Sequence, residues 1–485
     1  NNLGSVLKDL KQQDKSLESY QRAFELNPSA DYLLGNLIHS KLLLSRWNNL
    51  STYIDNISQN INNGKKSIGP FPLLALIDDP ELHKKAAEIY IDHKFPENFD
   101  LGKISIYPLH KKIRIGYFSA DFRVHPVANL TAELYEIHDK DKFEIYAFSF
   151  GPDTGDEMNL RIKSGVDCFH DIRDMSHLDA VNFSRSLEID IAIDLGGYTA
   201  NSRTEIFAMS VAPTQASYIG FLGTMGTGYY DYIVADKTVI PEGNQKYYSE
   251  KIIHLPSFQV NDSTIEIPDK VFTRKELGLP DKGFVFCCFN NTYKITPTTF
   301  DSWARILDQV KDSVMMLYID NETAKENLVI EIEKRDISSE RLIFAERMPK
   351  TDYLARYRAA DLFLDTHPYN AGTTASDALR MGLPVLTLLG KAYPSRMAAS
   401  IVNALHLPEL ITNSEKEYVS LAIELANDQE RLMNLKEKLV RNLSKAPLFN
   451  TKEFTKNLET AYINIYERHL QGQEPDHIIV EHESS

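Results

Sequence analysis

"FLDTHPYNAGTTASDALRMGLPVLTL" (residues 363–388) reads as a short apolar run, a loop of small polar residues, a helical stretch and a second apolar run. Strand, helix and strand in such short compass is the repeating unit of a parallel sheet with helical crossovers. The loop ahead of the helix carries Asn370, Gly372, Thr373 and Thr374. A helix that starts there presents backbone N–H groups without intrahelical partners, two hydroxyls and the positive end of the macrodipole. That combination suits an anion, most often a phosphate. Asp377, one turn into the helix, is placed either to accept ribose hydroxyls or to compensate the dipole.

Working outward, "FVFCCFNN", "SVMMLYID", "RLIFAE", "DLFLDT" and "LPVLTLLG" are apolar β-type runs separated by helical segments, so residues 283–448 form one doubly wound α/β unit. Two further groups stand at carboxyl ends of its expected strands. "FNNTYKITP" offers Asn290, Asn291 and Lys294, where a lysine can neutralise a diphosphate or simply lie solvated in a loop. "ERMPKTDYLARYRAAD" places Lys350, Tyr353 and Arg356 at the start of a helix, where an aromatic can stack on a base or merely cover a surface. All three groups fall in one nucleotide-sized arc.

An earlier set of runs, "KKIRIGYFS", "KFEIYAFSF", "IDIAIDLGG" and "TQASYIGF", implies a second doubly wound unit over residues 111–262, with a crossing at 263–282 marked by Pro268 and Pro280. Two open sheets are expected to leave a ligand cleft at their carboxyl ends. "SADFRVHPVANL" puts Asp121 and His125 at a strand-to-helix turn facing that cleft. "LGGYTANSRTEIF" and "GFLGTMGTGYYDY" are glycine-rich loops after strands; with the end of the preceding run they bring Tyr198, Arg203, Ile219 and Gly220 to the same side.

Sliding the first residues by 34 aligns Asn2-Leu3 with Asn36-Leu37 and Leu10 with Leu44, the tetratricopeptide period. Gly4, Leu7, Leu10, Leu17, Tyr20, Ala23, Phe24 and Pro28 supply one helix pair. Residues 1–62 are therefore expected to be such repeats, continued upstream of Asn1, and 63–110 a helical transition. Near the end, Phe454, Leu458, Ala461, Tyr462, Ile465 and Tyr466 form one stripe of a helix in 449–485 that packs back on the catalytic core.

The bulk numbers narrow the classes. A net charge of -15 over 485 residues argues against a dedicated nucleic-acid binder. The three cysteines include an adjacent pair and complete no zinc motif, which fits a reducing compartment, the cytoplasm. No apolar run is long enough to span a membrane, so no membrane partner is expected. Neither sheet carries a P-loop or a GxGxxG fingerprint, and no DxD-like metal pair stands near the phosphate loop.

Taken together, the repeats, "IRIGYFSADFRVHPVANL", "NNTYKITP", "NAGTTASDALRMGLPVLTL", "SRMAASI", "PLFNTKEFT" and "PDHIIV" closely resemble the O-linked N-acetylglucosamine (O-GlcNAc) transferase family, glycosyltransferase family 41, in family order and over nearly the whole chain. The resemblance implies a GT-B fold, two Rossmann-like domains facing a cleft, behind helical repeats. It implies an inverting, metal-independent transfer of N-acetylglucosamine from UDP-GlcNAc to Ser or Thr of protein acceptors bound through the repeats and cleft, without a cofactor. The family's diphosphate lysine falls on Lys294, its helix-start hydroxyls on Thr373 and Thr374, its ribose acid on Asp377, its active-site histidine on His125, and its base contacts on Met348, Lys350, Tyr353 and Arg356. Asn291 stands where the animal enzymes have Gln, Tyr353 where a His stacks on uracil, and Gly372 where a His follows the Gly. Phe71 occupies the approximate place of an upstream His once proposed as a base, so that residue is not the base here. The interlobe insert of the animal enzymes is absent. A protein O-fucosyltransferase using GDP-fucose, an Asn-directed glucosyltransferase, and a repeat-based scaffold with an inactive transferase domain remain as alternatives.

Overall fold

A computed structural model describes residues 1–481, so the last four residues of the expected 449–485 segment lie outside the described residues. The chain forms two compact units. The first combines Asn1–Asp79 with Glu266–Lys445, the second Pro80–Ile265 with Ala446–Ser485. Along Pro80–Ile265 run β1 (Ile113–Ser119), β2 (Phe143–Ser149), β3 (Cys168–Asp171), β4 (Ile191–Asp194), β5 (Thr214–Ser217), β6 (Tyr232–Asp236) and β7 (Lys251–Leu255). Glu266–Lys445 carries β8 (Val285–Cys288), β9 (Val314–Tyr318), β10 (Leu342–Ala345), β11 (Leu362–Leu364), β12 (Val385–Leu388) and β13 (Ile411–Thr412), and the chain closes with β14 (Ile478–Ile479).

The strand orders are β14-β7-β6-β5-β4-β1-β2-β3 and β10-β9-β8-β11-β12-β13. Every pairing is parallel. Each sheet winds outward from its first strand in one direction and then reverses, so the direction of winding switches between β1 and β4 in one unit and between β8 and β11 in the other. Open α/β sheets bind ligands beyond the carboxyl ends of the strands at that switch. Buried on both faces, the central strands can be nearly all apolar, as Ile115, Tyr117, Ile145, Ala147, Ile191 and Ile193 are. Together with the helices at the N-terminus, these two doubly wound sheets make up the α/β GT-B class with helical repeats.

Those N-terminal helices are Asn2–Asp9, Gln13–Leu26, Leu33–Leu43 and Leu50–Asn62. Gly4 lets the first pair close: a Cβ there would stand 2.7 Å from the Tyr20 ring, and the Ser16 hydroxyl donates to the Gly4 carbonyl at 2.7 Å. Leu17, Tyr20, Leu33, Leu37 and Leu44 form their shared core. So few helices bury little by themselves, and they lean on the α/β part of the same unit. Trp47 packs on Phe300 with ring centroids 5.3 Å apart, and the Asn327 amide donates to the Leu44 carbonyl at 2.7 Å.

The expected transition segment 63–110 divides between Asp79 and Pro80. Asp78 accepts the backbone N–H groups of Lys391 (2.9 Å) and Ala392 (2.8 Å), holding the stretch before the break to the first unit. After the break, Tyr229 donates to the Phe95 carbonyl at 2.9 Å within the second unit. From the expected crossing, residues 266–282 belong to the first unit, where Arg274 meets Asp361 at 3.3 Å. The Thr451–Leu470 helix buries its whole anticipated stripe in the second unit, and the Tyr462 hydroxyl lies 3.2 Å from that of Tyr117. Among the described residues no helix is long and apolar enough to cross a membrane.

Candidate active site

In the first unit, the loops after β8 and β11 meet at the switch point. Asn290, buried just past β8, donates to the Thr366 hydroxyl at 2.8 Å, and its side-chain oxygen accepts the hydroxyl of Thr374. One amide thus ties three chemistry-bearing segments together. Asp365, just past β11, is buried and accepts the N–H groups of Thr366 (2.8 Å) and Ala371 (2.7 Å) and the Thr387 hydroxyl (2.7 Å). Burial pushes its carboxyl up to about 7 despite those donors.

Lys294 sits on the one-turn helix Thr292–Lys294. Its ammonium donates to the Asn370 carbonyl at 3.0 Å and lies 3.9 Å from the Tyr369 ring centroid. Desolvation lowers its pKa to about 8, with Asp365 and Cys288 opposing that shift. A cation poised so near neutrality in a dry loop gains most from a ligand that brings negative charge.

Gly372 precedes the Thr373–Arg380 helix and supplies no side-chain cap, and the first turn holds no acidic residue. No N-cap side chain therefore competes for the opening N–H groups of that helix, which suits an anion site. Thr373 and Thr374 are half-buried there. Asp377 shares a hydrogen bond with Tyr353, and burial raises its carboxyl to about 6. Tyr353 and Tyr357 join hydroxyls at 2.7 Å, and Tyr357 reaches the Thr374 carbonyl at 3.3 Å. Arg356 is only 1% exposed; its guanidinium donates to the Glu346 carbonyl at 2.8 Å and lies 4.1 Å from the Phe289 ring centroid and 4.9 Å from that of Tyr353. It braces the aromatic platform from within. Past the end of β10, Met348 is half-buried and Lys350 exposed, the latter acting electrostatically on Asp377. Asn291 is exposed beside Tyr293.

Asp365, Tyr357 and Tyr369 join the site beyond the residues expected from sequence. Tyr357 was legible as the residue one helical turn after Tyr353; the other two act through contacts that span the loops.

In the second unit, Asp121 and His125 stand together past β1. His125 caps the Pro126–Ile137 helix, its Nδ1 accepting the Val127 N–H at 3.3 Å, with Asp121 3.6 Å away. Burial lowers its pKa, partly offset by Asp121. An Nδ1 that accepts leaves the proton of the neutral ring on Nε2. Past β4, Asp194 accepts the N–H groups of Gly196 (2.8 Å) and Gly197 (3.0 Å) and fixes the glycine-rich turn. Tyr198 is buried with its hydroxyl on the Met225 carbonyl, and Arg203 holds the carbonyls of Ile172 (2.8 Å) and Met175 (2.9 Å). These two side chains shape loops.

Ile219, past β5, has φ +62°, a left-handed conformation costly for a β-branched residue. A Cβ on Gly220 would collide with the backbone carbonyl oxygen of Leu195, which cannot swing aside. The close approach of two chain segments thus accounts for this glycine. Gly220→Ala is expected to destabilise the protein by about 2 kcal/mol and to lower its thermal midpoint measurably; an unchanged melting curve would contradict the packing described.

The chain matches the model of Glycosyl transferase family 41 over residues 86–269 and 259–458. It is 34% identical over 377 residues to the Arabidopsis thaliana protein named "Probable UDP-N-acetylglucosamine--peptide N-acetylglucosaminyltransferase SEC", covering 76% of this chain and 39% of that protein. It is 24% identical to the UDP-N-acetylglucosamine--peptide N-acetylglucosaminyltransferase of Caenorhabditis elegans, covering 76% of this chain and 42% of the relative. The chain therefore spans about two fifths of the length of these curated relatives. Among solved structures, a lysine-to-methionine mutant of the Thermobaculum terrenum O-GlcNAc transferase matches with a TM-score of 0.83 at 26% identity, covering 97% of this chain and 90% of that one.

Proposed function

Since the chain belongs to glycosyltransferase family 41, we propose that it is an inverting, metal-independent glycosyltransferase that moves N-acetylglucosamine from UDP-GlcNAc to Ser or Thr hydroxyls of proteins. The observation that carries this reading is the convergence of the Lys294 ammonium and the uncapped start of the Thr373–Arg380 helix at the β8/β11 switch. In the transfer, the acceptor oxygen forms a bond to C1 of the sugar while the bond from C1 to the β-phosphate oxygen breaks. UDP departs with the electron pair, and the acceptor proton leaves to a base. Charge on the departing diphosphate is the main electrostatic demand, and fixed N–H dipoles with a cation meet it without reorganising. Asp377 accepts ribose hydroxyls, Tyr353 and Met348 flank the base, and Arg356 steadies the platform. Acceptor proteins engage through the repeats. Three cysteines without disulfide partners favour the cytoplasm.

His125 then acts as an Nε2–H donor that positions a reacting group, with a phosphate oxygen of the donor taking the proton. His125→Asn keeps an N-cap acceptor; it should lower turnover by roughly 10-fold, less than the ~100-fold or more lost with a general base. Release of UDP followed against pH checks this, and disappearance of an acid limb in the variant would make His125 the base. The function as a whole is tested by incubating the chain with UDP-GlcNAc, UDP-glucose and GDP-fucose in turn, in excess EDTA, and weighing a candidate acceptor by intact mass. A gain of one N-acetylhexosamine from UDP-GlcNAc alone is expected. Transfer from GDP-fucose, or no transfer until Mg²⁺ is restored, would overturn the donor or the metal independence.

A further inference from the structure

Tyr369 lies between the Asp365 network and the helix start, in a place that neither the fold nor the nucleotide contacts explain. It is buried, and the rings of Phe71 (6.3 Å) and Tyr293 (6.0 Å) pack on it at steep angles, each inclined by 68°. Phe71 comes from the short Pro70–Leu73 helix just after the repeats, and it also meets His39 of the Leu33–Leu43 repeat helix at 6.4 Å. His39 in turn packs on Tyr293 at 5.3 Å. Rings from three parts of the first unit thus fix the plane of Tyr369, and the Lys294 ammonium sits 3.9 Å from its centroid.

We propose that Tyr369 is a positioning residue for Lys294, its ring holding the ammonium on the Asn370 carbonyl just ahead of the Thr373–Arg380 helix. A lysine ends in a compact charge on a flexible stem, and one hydrogen bond at 3.0 Å leaves it free to swing. A ring quadrupole adds an attraction that is broad in angle and needs no proton acceptor, so it restrains the ammonium without consuming the donors a diphosphate would use. The groups that act on this ammonium are Asp365 and Cys288 electrostatically and Tyr369 through its ring, with Tyr293 on the same short helix. Of these, Asp365 can bear a charge that a bound anion would oppose, whereas the Tyr369 ring supports the charged form without one, beside the neutral Asn370 carbonyl that accepts the ammonium's hydrogen bond. The repeat-side rings are then a buttress for the catalytic cation. The inference rests on the reading of Lys294 as the diphosphate cation.

The test varies the ring and keeps its shape. Tyr369→Phe, phenylalanines carrying one, two or three ring fluorines at position 369, and Tyr369→Leu are prepared in the full chain. The pH dependence of acetic anhydride labelling of Lys294 is read by peptide mass, beside the alkaline limb of kcat/KM for UDP release from UDP-GlcNAc. Tyr369→Phe should leave the labelling midpoint in place. Added fluorine should lower it stepwise, and Tyr369→Leu should lower it by roughly half to one and a half pH units, with the kcat/KM limb moving in parallel. A structural role alone would reduce activity without moving either midpoint. The same labelling midpoint across the fluorinated series overturns the proposal, whatever happens to activity and whether or not Tyr369→Leu folds. Labelling needs no turnover, so a midpoint that shifts in a protein releasing no UDP would count against the proposed function and leave the Tyr369 contact standing.

Discussion

Lys294→Ala is expected to lower transfer by at least ~10³-fold while leaving the fold intact. Removing one neutral donor from a preorganised site costs about 10²–10³ in turnover, and Lys294 is the charged member of this one. Its ammonium is half-buried in a desolvated loop and made labile by that burial, with a pKa of about 8. The fold loses little with it, because Asp365 keeps its backbone and hydroxyl donors from Thr366, Ala371 and Thr387. Intact-mass assay of an acceptor and circular dichroism on the same preparation check both halves. Near-wild-type turnover in a folded variant would remove Lys294 from the chemistry.

Asp365→Ala is expected to damage stability and activity together. It leaves two N–H groups and a hydroxyl without their acceptor in a buried loop, each worth ~1–3 kcal/mol in isolation. Loss of a desolvated carboxylate offsets part of that, so a net cost of about 3 kcal/mol is expected. The pH dependence carries the sign. Its carboxyl is raised to about 7 in the folded chain against ~3.9 unfolded. The group's contribution is therefore fullest below the unfolded value and is lost as pH rises through about 7. The variant should differ more from wild type in thermal midpoint at pH 5 than at pH 8. Turnover should fall by at least ~10²-fold, because the loop from Thr366 to Ala371, which carries the Asn370 carbonyl that holds Lys294 and leads into Thr373 and Thr374, is no longer fixed by that carboxylate. Equal differences at both pH values would mean that Asp365 titrates normally.

Much of this architecture is legible in the residues because it is local. The apolar runs that became β1, β2, β4, β8, β9 and β12 are long enough to be read by themselves, and the stripe from Phe454 to Tyr466 has helical period. The strand β3, "CFHD", is short, partly polar and at a sheet edge, so periodicity does not announce it. β14 is two residues long and pairs with β7 across more than two hundred positions, a contact that only the fold creates. β6 was hidden by the glycines before it, which draw the eye to a loop. The site divides in the same way. Gly372, Thr373, Thr374 and Asp377 were readable because a helix start is a local pattern. The bonds from Asn290 to Thr366 and from Lys294 to Asn370 depend on the placement of β8 beside β11, and with them the duties of Asp365 and Tyr369 stayed out of view. Tyr198 and Arg203 show the reverse. Their loops are recognisable in the residues, but the fold occupies their polar atoms with backbone carbonyls.

On the proposed reading, a protein cation and oriented peptide N–H groups hold the nucleotide diphosphate unaided. Calorimetric titration of UDP into the wild-type chain and into Lys294→Ala, both in excess EDTA, tests it most directly. Binding by the wild type should be saturable and should weaken by at least ~10-fold in the variant. Equal affinity in the two proteins, or heat that appears only after Mg²⁺ is added, would contradict it.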